Sequence, residues 1–136
     1  MGKKVGLVVA EYNGEITSSM REEAEDAAQE NDADVEVVHV PGSYDTPLAA
    51  QKLADRDDID CVTVIGAIIE GDTDHDKIIG NSTAKTLQEV SLESGKPVTM
   101  AITGPGMTAE EAYERTHYAY DAVESALEMT EELGDL

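Results

Sequence analysis

The sequence predicts a three-layer α/β/α sandwich, in which a four-stranded parallel sheet carries helices on both faces. Two observations lead there. Four short apolar runs alternate with four longer stretches of helical periodicity. The runs are continuous rather than alternating apolar and polar, as expected of strands covered on both sides. Right-handed crossovers between parallel strands then place the intervening helices on the two faces. With 136 residues the chain reads as one domain spanning 1–136. That is long enough to build a core without disulfide or metal staples.

The elements follow in order. Val5-Gly6-Leu7-Val8-Val9-Ala10 is the first strand. Ile16, Met20, Ala24 and Ala27 then recur at helical spacing, with Arg21, Glu22, Glu25 and Asp26 on the other face. Val35 to Val40 is the second strand, and Glu36 and His39 within it predict a more exposed position. Pro41-Gly42 ends it. Thr46-Pro47 reads as an N-cap followed by proline at the first helical position, opening a helix through Ala54. Cys61 to Ile65 is the third strand, ending in Gly66. A helix from about Lys77 to Glu93 follows, with Gly95 at its C′ position. Val98 to Thr103 is the fourth strand, and Gly104-Pro105-Gly106 follows it. Thr108 with Glu111 forms a capping box for one last helix, whose inner face carries Ala112, Thr116, Ala119, Val123, Ala126 and Leu127. No internal repeat, low-complexity tract or linker interrupts the pattern.

Charge narrows the partners. Thirty acidic residues against nine basic ones leave a formal net charge of −21. Such a surface repels nucleic acid and anionic membranes, whose binding rests on clustered Lys and Arg. Disorder does not follow, because 40% of residues are hydrophobic and fall in periodic blocks. Self-repulsion at this charge destabilises the compact state, and high salt quenches it by shortening the screening length to ~3 Å at 1 M. A salt-adapted cytoplasm is the expected setting. The run Val5 to Ala10 is too short, and too soon broken by Glu11, for a signal segment or a membrane span. Cys61, alone and within an apolar run, reads as a small buried hydrophobe rather than a nucleophile.

In sheets of this kind ligands bind outside the carboxyl ends of the strands. Four segments therefore become candidates: Glu11-Tyr12-Asn13, Pro41 to Asp45, Gly66 to Asp76, and Met100 to Gly106. In the third, Gly71 allows a tight turn, and amides near the following helix start could hold an anion. His75 in the same segment can take and give a proton near neutral pH. The competing reading is a solvated acidic loop whose histidine caps the helix. Glu70, Asp72, Asp74 and Asp76 resemble part of a calcium loop, but the glycine and the closing glutamate are misplaced, so no metal is expected. In the second segment Asp45 suits a polyol, and Tyr44 or Tyr12 a flat ring. A helix cap and a core tyrosine explain the same residues. Arg115 suits bidentate phosphate binding. Its alternative is a pair with Glu111 four residues earlier, worth only ~0.3–0.5 kcal/mol. His39 and His117 read as an edge-strand and a helix-surface histidine without a role.

Taken in order, the segments form a recognisable set. Glu11-Tyr12-Asn13 with Ile16-Thr17-Ser18, Pro41 to Ala49, Gly66 to His75, and Glu114-Arg115 together resemble the lumazine synthase family of riboflavin biosynthesis. The stretch Ile102 to Thr108 is similar to the archaeal branch, and the charge to its haloarchaeal members. The resemblance implies a flavodoxin-like fold and a reaction that needs no cofactor. In it, the 5-amino group of 5-amino-6-(D-ribitylamino)uracil condenses with the ketone of 3,4-dihydroxy-2-butanone 4-phosphate. Schiff-base formation, phosphate elimination and ring closure then give 6,7-dimethyl-8-ribityllumazine.

The same resemblance implies residue roles. Tyr12 stacks on the pyrimidine, where the family usually has Phe, and Asn13 stands beside it. Ser43, Tyr44 and Asp45 match the ribityl-binding turn, although Glu is usual at the last of these. Ala67, Ile68 and Ile69 match the stretch against the ring, Asp72 and Thr73 the phosphate cradle, and His75 the proton-transfer histidine. Arg115 matches the phosphate-binding arginine and Met100 a wall residue, both reaching the site from a neighbouring subunit. Family members assemble as pentamers, some as shells of sixty. The stretch after Arg115 is shorter than in the bacterial branch and lacks its glycine- and lysine-rich turn. An archaeal-type riboflavin synthase and a non-catalytic flavin-binding carrier are the competing functions.

Overall fold

All the strands of the sheet run in one direction, in the order β2-β1-β3-β4. The computed structural model describes residues 2–69 and 75–136. Strands β1 (Lys4–Ala10), β2 (Asp34–Val40), β3 (Cys61–Ile69) and β4 (Val98–Met107) alternate with helices α1 (Gly14–Glu30), α2 (Thr46–Ala54) and α3 (His75–Ser94). Two further helices, α4 (Ala109–Tyr113) and α5 (Tyr118–Leu133), close the chain. The three-layer α/β/α sandwich is the one the alternating pattern predicts, and its strand order agrees with the flavodoxin-like fold that the resemblance implies.

Each face of the sheet has its own core, because successive strand side chains point to opposite sides. Val5, Leu7, Val9, Cys61 and Ile65 face α1 and α5, where Met20, Ala24, Ala27, Val123 and Ala126 meet them. Val8, Ala10, Val62 and Val64 face α2 and α3, where Leu53, Ala54, Leu87 and Val90 lie. Burying each Val or Leu contributes roughly 1.5–3 kcal/mol as an upper estimate. The alanines of α1 and α5 bring those two helices close together, and tyrosines of α4 and α5 tie both to α1 at the rim. Tyr113 donates its hydroxyl to Glu15 at 2.7 Å, and Tyr120 donates to Glu30. That hydrogen bond pushes the Tyr120 phenol up to about 12. A buried thread ties the sheet to α5: Thr63 bonds Thr99 at 2.8 Å, and Thr99 donates to the Ala122 carbonyl at 2.9 Å. Among the described residues the buried Thr83 and Thr103 hydroxyls have no hydrogen-bond partner.

Four details depart from the sequence reading. First, β3 does not stop at Gly66 but continues to Ile69, because Gly66 and Ala67 stay paired with Ile102 and Thr103 of β4. Second, β4 runs through Gly104-Pro105-Gly106 to Met107. The register shifts there, between Ala67 and Ile69, and Gly104 and Gly106 take the φ values of 94° and 84° that only glycine adopts freely. A Cβ at Gly104 would lie 2.0 Å from the Ile68 carbonyl oxygen. Third, the last helix is two pieces. Tyr118 bonds back to Arg115 and Ala119 to Thr116, three residues each, which tightens the chain into a turn at 114–117. Fourth, Thr46 is the first helical residue rather than a cap, and its hydroxyl donates to the Ser43 carbonyl at 2.7 Å. A short 3₁₀ turn, Ser43–Asp45, precedes it.

Other expectations hold. The Thr108–Glu111 capping box forms with both bonds, at 3.2 and 3.1 Å. Gly95 sits at φ 72° past α3, its N–H on the Ser91 carbonyl at 2.9 Å. β2 is an edge strand with partly exposed side chains. Burial raises the Cys61 thiol to about 11, which leaves it inert at neutral pH. At the amino-terminal end of the sheet, Arg56 holds Asp58 at 2.7 Å and Glu36 at 3.0 Å, and Lys4 joins both. Bonding to Arg56 brings Asp58 down to about 2. Among the described residues no helix is long and apolar enough to cross a membrane.

Candidate active site

A crevice of about 370 Å³ opens at the carboxyl ends of β1 and β3, where the order of the strands reverses. Backbone pairing builds its rim. Glu11 and Tyr12 donate to the Val40 and Pro41 carbonyls at 2.8 and 2.9 Å, which carries the β1–β2 ladder two residues past the strands. Tyr12 is thereby set beside the 43–45 turn and is 73% exposed. Tyr44 rises from that turn and is 67% exposed. Two exposed rings flanking an apolar cleft form platforms on which a flat ligand can stack.

Asn13 follows in the left-handed conformation, φ 60° and ψ 46°, which Asn tolerates better than most residues. Its side-chain amide donates to the Ala67 carbonyl at 2.8 Å and so pins the start of α1 to the end of β3. Ala67, Ile68 and Ile69 form the floor, since β3 runs on beyond Gly66. Gly66 itself sets the depth of the site. A Cβ there would stand 2.4 Å from the Ser43 hydroxyl oxygen, so a larger residue would push that side chain aside where the turn seats against the strand. Opposite, His75 begins α3, with Asp76 beside it and Ile79 one turn on.

Of the candidate residues, Tyr12, Asn13, Ser43, Tyr44, Ala67, Ile68, Ile69 and His75 come together on this one cleft. Asp45 does not. Its carboxylate turns back to accept the Gly42 N–H at 3.0 Å and fronts an adjoining groove with Leu48 and Thr83. Met100 lies on the free edge of the sheet, 44% exposed, beside Tyr118 and Asp121. Arg115 sits in the α4–α5 turn rather than on a helix, and its guanidinium donates to the Glu111 carbonyl at 2.9 Å. The Glu111 carboxylate is occupied by the Thr108 N–H, which lowers its pKa, so no carboxylate pair with Arg115 forms. Asp72 and Thr73 lie outside the described residues. Gly42, Asp76 and Ile79 line the cleft without having been singled out for it. Ile79 was findable, since it stands four residues after His75 and shares its helix face.

The arrangement offers stacking surfaces, an apolar floor, a hydroxyl and a histidine at a topological switch point. That defines a small-molecule site of the doubly wound α/β class. Over residues 2–133 the chain matches the family model described as 6,7-dimethyl-8-ribityllumazine synthase, and it belongs to that family. It is 54% identical over 131 residues to the 6,7-dimethyl-8-ribityllumazine synthase of Halobacterium salinarum, covering 96% of this chain and 98% of that one. To the protein of the same name from Halorubrum lacusprofundi it is 51% identical over 130 residues, covering 95% and 97%. A crystallised fragment described as a lipoprotein from Peptoclostridium difficile 630 shares the fold alone, with a TM-score of 0.56, 16% identity, and 93% and 98% coverage.

Proposed function

We propose that this chain, acting as one domain, makes 6,7-dimethyl-8-ribityllumazine in riboflavin biosynthesis. It condenses 5-amino-6-(D-ribitylamino)uracil with 3,4-dihydroxy-2-butanone 4-phosphate and releases phosphate and water. The carrying observation is the convergence of Tyr12, Ser43, Tyr44, Ala67 to Ile69 and His75 on one cleft in a member of this family. The pyrimidine stacks on Tyr12 over the Ala67–Ile69 floor, and its ribityl chain runs along the Ser43–Asp45 turn. Holding two reactants in register replaces up to ~7–11 kcal/mol of bimolecular entropy cost, so few acid–base groups are needed. His75 carries protons to and from the carbinolamine as the Schiff base forms.

Phosphate departure calls for fixed positive charge and backbone donors. The cleft's own lining, among the described residues, has no Lys or Arg. The assigned groups are the loop holding Asp72 and Thr73 together with Arg115. Met100 and Arg115 stand away from the cleft of their own protomer, which favours their delivery by a neighbour in a pentamer. The setting proposed is a salt-rich cytoplasm. Mixing the protein with both substrates in concentrated KCl and following lumazine absorbance tests the reading. Turnover above the uncatalysed rate is expected. No gain overturns it, and binding of a flavin without turnover points to a carrier instead.

A further inference from the structure

We propose that Asp76 reads the hydroxyl groups of the polyol-bearing substrate and so sets specificity on one wall of the cleft. The inference rests on the synthase reading above. Among the described lining residues Asp76 is the one carboxylate. Asp45, the residue otherwise expected to serve a polyol, has turned its oxygen onto the Gly42 N–H and faces the next groove. Asp76 is half-buried on the first turn of α3, where the aligned peptide dipoles of a 20-residue helix favour a negative charge. No hydrogen bond or ion pair among the described residues engages it.

A carboxylate in that position accepts hydrogen bonds and donates none. Among the described residues none of the cleft's own donors bonds it, and the Asn13 amide nitrogen is committed to Ala67 at 2.8 Å. A ligand can bring the donors. Of the two reactants, the ribityl chain offers a row of hydroxyl donors, whereas the butanone phosphate offers an anion that a carboxylate repels. Adjacent residues thus divide the work: His75 moves protons, and Asp76 selects, from the α3 side, the reactant whose polyol lies between this wall and the Ser43–Asp45 turn.

The test compares Asp76→Asn and Asp76→Glu with the unmodified protein, varying each substrate separately. It also uses an aminouracil carrying a methylamino group in place of the ribitylamino group. The Asp76→Asn exchange should raise KM for ribitylaminouracil about 10- to 100-fold, as expected for losing bonds to a charged acceptor. KM for the butanone phosphate and kcat should stay within about twofold, and Asp76→Glu should recover part of the loss. With the methylamino analogue, Asp76→Asn and the unmodified protein should have the same KM. An equal loss for both uracils, a change confined to kcat, or no change in KM each overturns the proposal. Thermal melting of Asp76→Asn near that of the unmodified protein establishes that the fold is intact. If the unmodified protein makes no lumazine, the synthase reading itself fails. If it does and Asp76→Asn matches it throughout, the failure belongs to Asp76 alone.

Discussion

At the amino-terminal end of the sheet, Lys4 and Arg56 meet Glu36 and Asp58, and Lys96 reaches the Arg56 carbonyl at 2.7 Å. At the carboxyl end the cleft is lined by rings, apolar side chains, a serine, a histidine and one carboxylate, Asp76, without a Lys or Arg among the described residues. A chain with only nine basic residues has placed three of them at the end of the sheet opposite the cleft. Lys4 and Arg56 neutralise the Glu36 and Asp58 carboxylates there, and Lys96 ties down the Arg56 backbone. The ligand end works differently. It offers stacking surfaces and sheltered polar groups, which concentrated salt screens far less than it screens exposed charges. Charge enters there through few groups, Asp76 on the α3 wall and the cation that the phosphate calls for.

That division makes Arg115 the most exposed point of the mechanism. Arg115→Ala removes a bidentate cation and should lower kcat/KM by about 10³-fold, mainly through KM for the butanone phosphate. Steady-state kinetics at saturating ribitylaminouracil measures it, and wild-type behaviour would show that the phosphate is held elsewhere. His75→Ala should cost less, about 10²-fold in kcat, because it supplies acid–base help to a reaction that positioning already favours. Gly66→Ala should cost about 1–3 kcal/mol of stability through overpacking against Ser43, read as a lower melting temperature. Unchanged stability would mean that the 43–45 turn moves freely.

The smallest effect belongs to the other end. Asp58 titrates at about 2, below the ordinary carboxylate range. A lowered folded-state pKa gives stability that is present above about pH 4 and lost as pH falls toward about 2. Acid unfolding followed by circular dichroism should therefore become less steep in that window in Arg56→Ala. Molar KCl should shrink the difference, since the pairs are exposed, while kcat of Arg56→Ala stays at the wild-type value.

Most of the fold was legible because continuous apolar runs and helical spacing record burial directly. What escaped were places where a distant partner overrode a local signal. Gly66 and Gly104-Pro105-Gly106 read as strand ends, yet β3 and β4 satisfy each other's backbone through both segments. The turn at 114–117 was hidden because Ala112 and Ala119 are both buried, seven residues apart, and fit an unbroken helix. In the site, Tyr12, Ser43 and His75 could be placed by topology alone. Asp45 could not, because its orientation depends on one backbone N–H three residues earlier. Asp76 was lost among the alternating acids of its loop, where nothing in composition distinguishes a carboxylate facing a cleft from one facing water.

The unpartnered hydroxyl of Thr83 marks where the fold has stability still to gain. It lies 2% exposed on the inner side of α3. Valine has the same shape without the oxygen, and leaving a buried hydroxyl unbonded forfeits about 1–3 kcal/mol. A single Thr83→Val exchange, remote from the base ion pairs, should therefore raise the melting temperature without touching the cleft.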